Sequence, residues 1–245
     1  MPTIAPIQRV HHGSQFRAYR LRGDASLISP IIGVDHYWMS APTFPPHPHA
    51  GISAVSYLLL DSETGIVNCD SIGTHNLIRP GGLQWTTAGR GLVHEEVPAE
   101  TGKTVHGLQI FVALTPARRD IAPFPLTLES HDVPLVQLPG IKVRIPVGSF
   151  AEAHSPLNQP TEVTMLVISM EQGDELDVPI AAGDSAFFMP IFGKAMVDGQ
   201  NFDHNDLKLP VFPAQNTSHA ISLRSPRGSA KVMPFAGSPL HFTAT

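Results

Sequence analysis

Apolar residues in this chain recur in short blocks, alternating with polar residues or continuous, and each block is bounded by Gly, Pro, Asn or Asp. They include Phe16–Leu21, Ile52–Leu60, Leu108–Leu114, Ile141–Val147, Val163–Met170 and Ser185–Ile191. A period of two between turn residues predicts strands, and many such strands in succession predict an all-β sandwich or barrel. Thr115–Asp120 predicts a single helical turn at most, and Ala151–Leu157 a loop. The proline-rich segment Thr115–Pro139 breaks the rhythm and predicts a connection between two β domains, residues 1–130 and 131–245. R-P-G-G-L-Q-W at Arg79–Trp85 and A-A-G-D-S-A-F-F at Ala181–Phe188 each set a glycine turn before an apolar strand. Two copies of one barrel would produce such an echo.

Composition sharpens this picture. Proline accounts for 24 of 245 residues and is excluded from helix interiors and central ladders, so short strands and many loops follow. Charged residues make up 15% and the net charge is −5. Proteins that grip phosphate backbones carry a basic surplus or stripe. None is visible here, so direct nucleic-acid binding is not expected. Cys69 is the single cysteine, which excludes an internal disulfide. The start M-P-T-I-A-P-I-Q-R-V lacks the basic and apolar regions of a signal peptide. No apolar run approaches the ~20 residues of a membrane helix. A cytoplasmic, monomeric protein without membrane attachment is expected.

The candidate chemistry lies in two short motifs. In F-P-P-H-P-H-A-G, His47 and His49 are two residues apart, so on an extended segment both project from one face. Pro46 and Pro48 favour that extension. In A-G-R-G-L-V-H-E-E, His94 and Glu96 repeat the spacing. Two neighbouring strands, each offering a same-face pair, would bring three imidazoles and a carboxylate to one point. Such a donor set suits Fe, Mn, Zn, Ni or Cu. An isolated H-x-H among 13 histidines would carry little weight; two such pairs, each beside a glycine turn and an apolar strand, carry much more. No other histidine shows the spacing. His11 and His12 are adjacent and would face opposite ways. His36, His75, His131, His154, His204, His219 and His241 stand singly and read as surface or packing residues. His106, before the strand G-L-Q-I-F-V-A-L, reads equally as cavity lining or structure.

F-P-P-H-P-H-A-G-I-S-A-V-S-Y-L-L, P-G-G-L-Q-W-T-T-A-G-R-G-L-V-H-E-E and H-G-L-Q-I-F-V-A-L resemble successive signature motifs of the pirin family, within the cupin superfamily. The likeness is specific over Asp35–Leu114. It continues more faintly at Val143–Phe150, Glu171–Leu176 and Phe235–Leu240. It implies a bicupin, two antiparallel jelly-roll β-barrels packed face to face, with a metal in the N-terminal one. It also implies His47, His49, His94 and Glu96 as the ligands, with iron(II) foremost and Zn, Mn, Ni, Co or Cu as alternatives. The chain departs from the family pattern at Ala50, Ser53, Gly82 and Asn68–Asp70, none of them a ligand position. The resemblance implies either of two functions. One is a quercetinase-type dioxygenase taking a small aromatic substrate and O2, with Glu96 as general base and Trp85, Phe44 and Ile110 as candidates to face the ring. The other is a metal- and redox-dependent module that binds a transcription factor or a metabolic enzyme.

Overall fold

The computed structural model describes residues 2–22 and 25–240. The molecule is nearly all β, and every strand pairing is antiparallel. Among the described residues the helical segments are one turn at Ala25–Ile28 and a 3-10 turn at Pro116–Arg118, the latter inside the stretch expected to form a turn. None is long and apolar enough to cross a membrane.

Three sheets carry the architecture. A seven-stranded sheet runs in the order Phe124–Leu128, Leu83–Thr87, Ile52–Leu58, Val105–Ala113, Ile31–Met39, Phe16–Leu21, Gln8–His12. A four-stranded sheet runs His47–His49, Leu92–Pro98, Ile66–Asp70, His75–Ile78. The later part of the chain builds a nine-stranded sheet around two long strands, Ser185–Val197 and His219–Gly237. The hydrogen-bonded paths are open among the described residues, so no barrel is closed by ladder bonds there.

Alternation of side chains gives each sheet two faces, and three apolar clusters follow. One lies within the first half and includes Phe16, Tyr37, Met39, Leu58 and Ile66. A second lies within the later half, around Val143, Ile168, Phe188, Phe202 and Val232. The third joins the two halves: Leu21, Val34, Tyr57 and Leu108 meet Met165, Phe187, Met233 and Phe235. Strand Thr3–Pro6 also crosses, pairing with Lys208–Phe212 of the nine-stranded sheet.

The segment expected to be a plain connection contains structure. Phe124–Leu128 pairs with Leu83–Thr87, and Leu135–Leu138 pairs with Ile141–Val147, so it contributes one strand to each half. Its prolines hid this. Phe124–Leu128 is an edge strand, where Pro125 needs no partner on its open side. Within the expected loop Ala151–Leu157, Ala153–His154 pairs with Ser149–Phe150 in a short ladder. Both glycine turns of the internal echo are present, with Gly81 at φ +82° and Gly183 at φ +88°.

The Phe187 and Phe235 rings stack at 4.7 Å in the cluster between the halves, and both are almost fully buried. Phe187→Ala should lower unfolding free energy by about 3–5 kcal/mol, measured by denaturant titration. A loss below about 1 kcal/mol would show that this cluster does not hold the halves together.

Candidate metal centre

The strand His47–His49 lies antiparallel to Leu92–Pro98, with His49 opposite Leu92 and His47 opposite His94. Directly opposed residues share a face. His47, His49 and His94 therefore project to the same side, into the space between the four- and seven-stranded sheets. Their ligating nitrogens all lie within 4.8 Å of one another. His49 Nε2 and His94 Nε2 are 3.0 Å apart.

That geometry fits a transition ion. Two nitrogens bound at right angles, each about 2.1 Å from one ion, would be about 3.0 Å apart. His47 Nδ1 lies 3.0 Å from the Pro45 carbonyl oxygen. Donation of an N–H to that carbonyl fixes the tautomer and leaves the Nε2 lone pair free. Burial, and then the neighbouring imidazoles, pull His49 and His94 down to about 4. Both rings are consequently neutral at physiological pH, the form a metal requires.

Glu96 occupies the same cleft but stands apart from this group. Its two carboxylate oxygens lie 2.6 and 2.8 Å from Ser56 Oγ, on the opposing sheet. Its carboxylate is turned toward Ser56 rather than toward the imidazoles. Asn68 is its ladder partner on one side, and on the other it lies past the three-residue strand His47–His49. Burial pushes the Glu96 carboxyl up to about 7, and the Ser56 hydrogen bond opposes that rise. Burial also raises the Tyr37 phenol, with the Glu96 charge adding to the effect.

The cleft above these groups has a volume of about 220 Å³. Phe16, Met39, Phe44 and Phe111 supply apolar walls, and Gln109 a polar one. Phe44 faces the cleft as expected. Trp85 and Ile110 do not: both lie in the cluster between the halves. Gln109 and Phe111 point inward, so Ile110 between them must point out. The same parity removes His106. Its Nε2 lies 2.7 Å from Nε2 of the wholly buried His36, and its Nδ1 lies 3.2 Å from Asp61. Those two histidines serve packing outside the cleft. His241 lies outside the described residues, and Cys69 is exposed. The sequence reading missed Ser56, Gln109, Arg20, Arg22 and Asp35. Ser56 carried a faint signal, as a polar residue inside the apolar run Ile52–Leu58.

Comparison with known proteins agrees with this architecture. The family model described as Pirin matches residues 15–112. The Pirin-like protein At1g50590 of Arabidopsis thaliana is 31% identical over 182 residues, covering 73% of this chain and 58% of that protein. The chain thus spans little more than half the length of the first curated relatives it matches. A Pseudomonas aeruginosa protein named "Putative quercetin 2,3-dioxygenase PA3240" is 30% identical over 249 residues, covering 94% of this chain and 83% of that one. The crystal structure of GK1651 from Geobacillus kaustophilus superposes with a TM-score of 0.89 at 25% identity, covering 99% of this chain and 97% of that one.

His49→Ala should remove most bound transition metal, since it deletes one of three clustered donors. Elemental analysis after reconstitution and desalting checks this. Unchanged stoichiometry would mean that the ion sits elsewhere.

Proposed function

Because the chain belongs to the pirin family, we propose that it is a metal-dependent dioxygenase of the quercetinase type, acting on a flavonol or similar phenolic ring. The observation that carries this reading is the open, aromatic-lined cleft directly above three clustered imidazoles. A module that only sensed the redox state of its ion would need no such access, and this favours the enzyme over the regulatory alternative.

In this reading His47, His49 and His94 hold one divalent ion, iron(II) first, and Glu96 joins as a fourth donor only by turning away from Ser56, the position from which it acts as base. The bound ion supplies Lewis acidity toward a phenolic oxygen and a redox partner for O2. The chain's own residues do the rest. Phe16, Phe44 and Phe111 present ring faces and edges to a planar substrate. Glu96, half-buried and lining the cleft, takes the proton of the substrate hydroxyl as general base. Ser56 Oγ holds that carboxylate in place from the opposing sheet. The cleft is smaller than the roughly 300–1,000 Å³ that encloses a drug-sized ligand. It therefore receives the reacting ring and leaves the remainder of a flavonol projecting from its mouth.

Iron-reconstituted protein should consume quercetin, seen as loss of its visible absorbance with matched oxygen uptake. Glu96→Gln should retain metal on the three imidazoles yet lose about 100-fold or more in turnover, the usual worth of a positioned base. Absence of turnover with Fe, Mn, Ni, Co and Cu would eliminate quercetin as substrate. Undiminished turnover in Glu96→Gln would eliminate Glu96 as the base.

A further inference from the structure

Two guanidiniums share one carboxylate on the wall of the cleft. Asp35, on strand Ile31–Met39, is only 6% exposed. Arg20 Nε donates to Oδ1 at 3.0 Å and Arg20 Nη2 to Oδ2 at 3.2 Å. Arg22 Nη2 donates to Oδ2 at 3.0 Å, and its Nη1 stands 2.9 Å from Oδ1. Register explains the meeting: Arg20 is directly opposite Asp35. Arg22, two residues on, projects from the same face and reaches back over Gly33. A Cβ at Gly33 would come within 2.7 Å of Arg22 Nη1, so glycine is what leaves room for that side chain.

A purely structural clamp would be complete without Arg22, because Arg20 alone engages both oxygens of Asp35. The second arginine brings a charge that the one acid cannot neutralise, since guanidiniums stay protonated throughout the accessible pH range. Each also carries five N–H groups, more in total than one carboxylate can absorb. The excess charge faces the cleft, which Arg20, Arg22 and Asp35 all line. Arg22 lies over the Phe111 ring at 5.1 Å, and that ring packs against His49 at 5.8 Å. The cationic fork is thus one aromatic ring away from the imidazole cluster. Among the described residues lining the cleft, the only other acid is Glu96, and it is bonded to Ser56.

We propose that Arg20 and Arg22 determine specificity for aromatic substrates bearing a carboxylate remote from the oxygen that meets the metal. This rests on the reading of the cleft as a substrate site. The ring would lie against Phe111 and Phe44 while the carboxylate meets the arginine fork, giving charge-assisted, geometrically matched hydrogen bonds. A neutral flavonol fits the apolar walls but brings no charge to balance the second guanidinium, whose Nη1 otherwise donates to the Leu21 carbonyl at 2.9 Å.

Zinc-loaded protein, which binds without turning over, separates the two ideas by calorimetric titration with 3-hydroxyflavone and its 4′-carboxylate. The carboxylate should bind about tenfold tighter or better, and the advantage should shrink between 50 and 500 mM salt, as screening takes hold at roughly such concentrations. In Arg22→Gln with full zinc content, the ratio of the two affinities should fall below about threefold. Arg22→Lys, which keeps the charge but not the fork, should fall between. Equal binding of both flavones by the parent protein would overturn the specificity assignment and leave the cleft as a flavonol site. A ratio undiminished in zinc-replete Arg22→Gln would also overturn it. Binding of neither would overturn the substrate reading itself, and this assignment with it.

Discussion

The register between His47–His49 and Leu92–Pro98 is the constraint from which the site follows. A slip of one residue on either strand would turn that strand's imidazoles to the opposite face. Three residues make a weak ladder by themselves, so the pairing is pinned from outside. Gly51 N donates to Gly89 O at 2.7 Å, and Val93 N donates to Ser71 Oγ at 3.0 Å. Gly89 has φ +50°, and a Cβ there would collide with the Ile121 carbonyl. Only glycine allows that turn, which is the physical content of T-A-G-R-G ahead of His94. The ordered register then brings three ring nitrogens together so that their lone pairs can converge. His94 is buried and the other two rings half-buried, and convergence becomes favourable once a cation is shared among them.

The two sheets of the first half divide the work. The four-stranded sheet supplies the imidazoles and Glu96. The seven-stranded sheet supplies Ser56, Gln109, Phe16 and Phe111, and the loop before His47 supplies Phe44. Strand Val105–Ala113 shows how one element serves both cleft and core. Gln109 and Phe111 point into the cleft, while Leu108 and Ile110 enter the cluster between the halves. A period of two is enough to separate chemistry from packing along this single strand. It also explains why His106, on the same strand, is bonded instead to His36 and Asp61.

Much of this was legible in the sequence, and for identifiable reasons. Strand periodicity and the turn residues announced an all-β chain, and the paired spacings picked out the three imidazoles that cluster. What escaped was information held between strands. That Glu96 bonds to Ser56 depends on how the two sheets face each other, not on any spacing within one segment. The Arg20–Asp35–Arg22 group joins residues of two strands whose register no local pattern states. Trp85 and Ile110 were read as candidates for the cleft because they are large and apolar, but parity sends them to the other face. The strands within Thr115–Pro139 were hidden because proline is a good marker of turns and a poor one of edge strands.

The unequal cores of the halves fit this distribution of tasks. The cluster inside the later half is filled by apolar residues such as Phe188, Phe202 and Val232, and the buried polar side chains there are Thr161, Ser185 and Ser225 among the described residues. Inside the first half, the apolar cluster shares its space with buried polar groups: Ser56, Asn68, Gln84 and His94. Some buried polar atoms lack a protein partner, including His94 Nδ1 and Asn68 Oδ1, and each such atom typically costs about 1–3 kcal/mol. The cluster between the halves, with Phe187 stacked on Phe235, ties the polar half to the well-packed one. Strand Thr3–Pro6, from the start of the chain, adds a backbone ladder across the same boundary. A second half without an H-x-H or H-x-E motif therefore still serves the first: it holds rigid the sheet whose other face must keep Gln109, Phe111 and Ser56 in place.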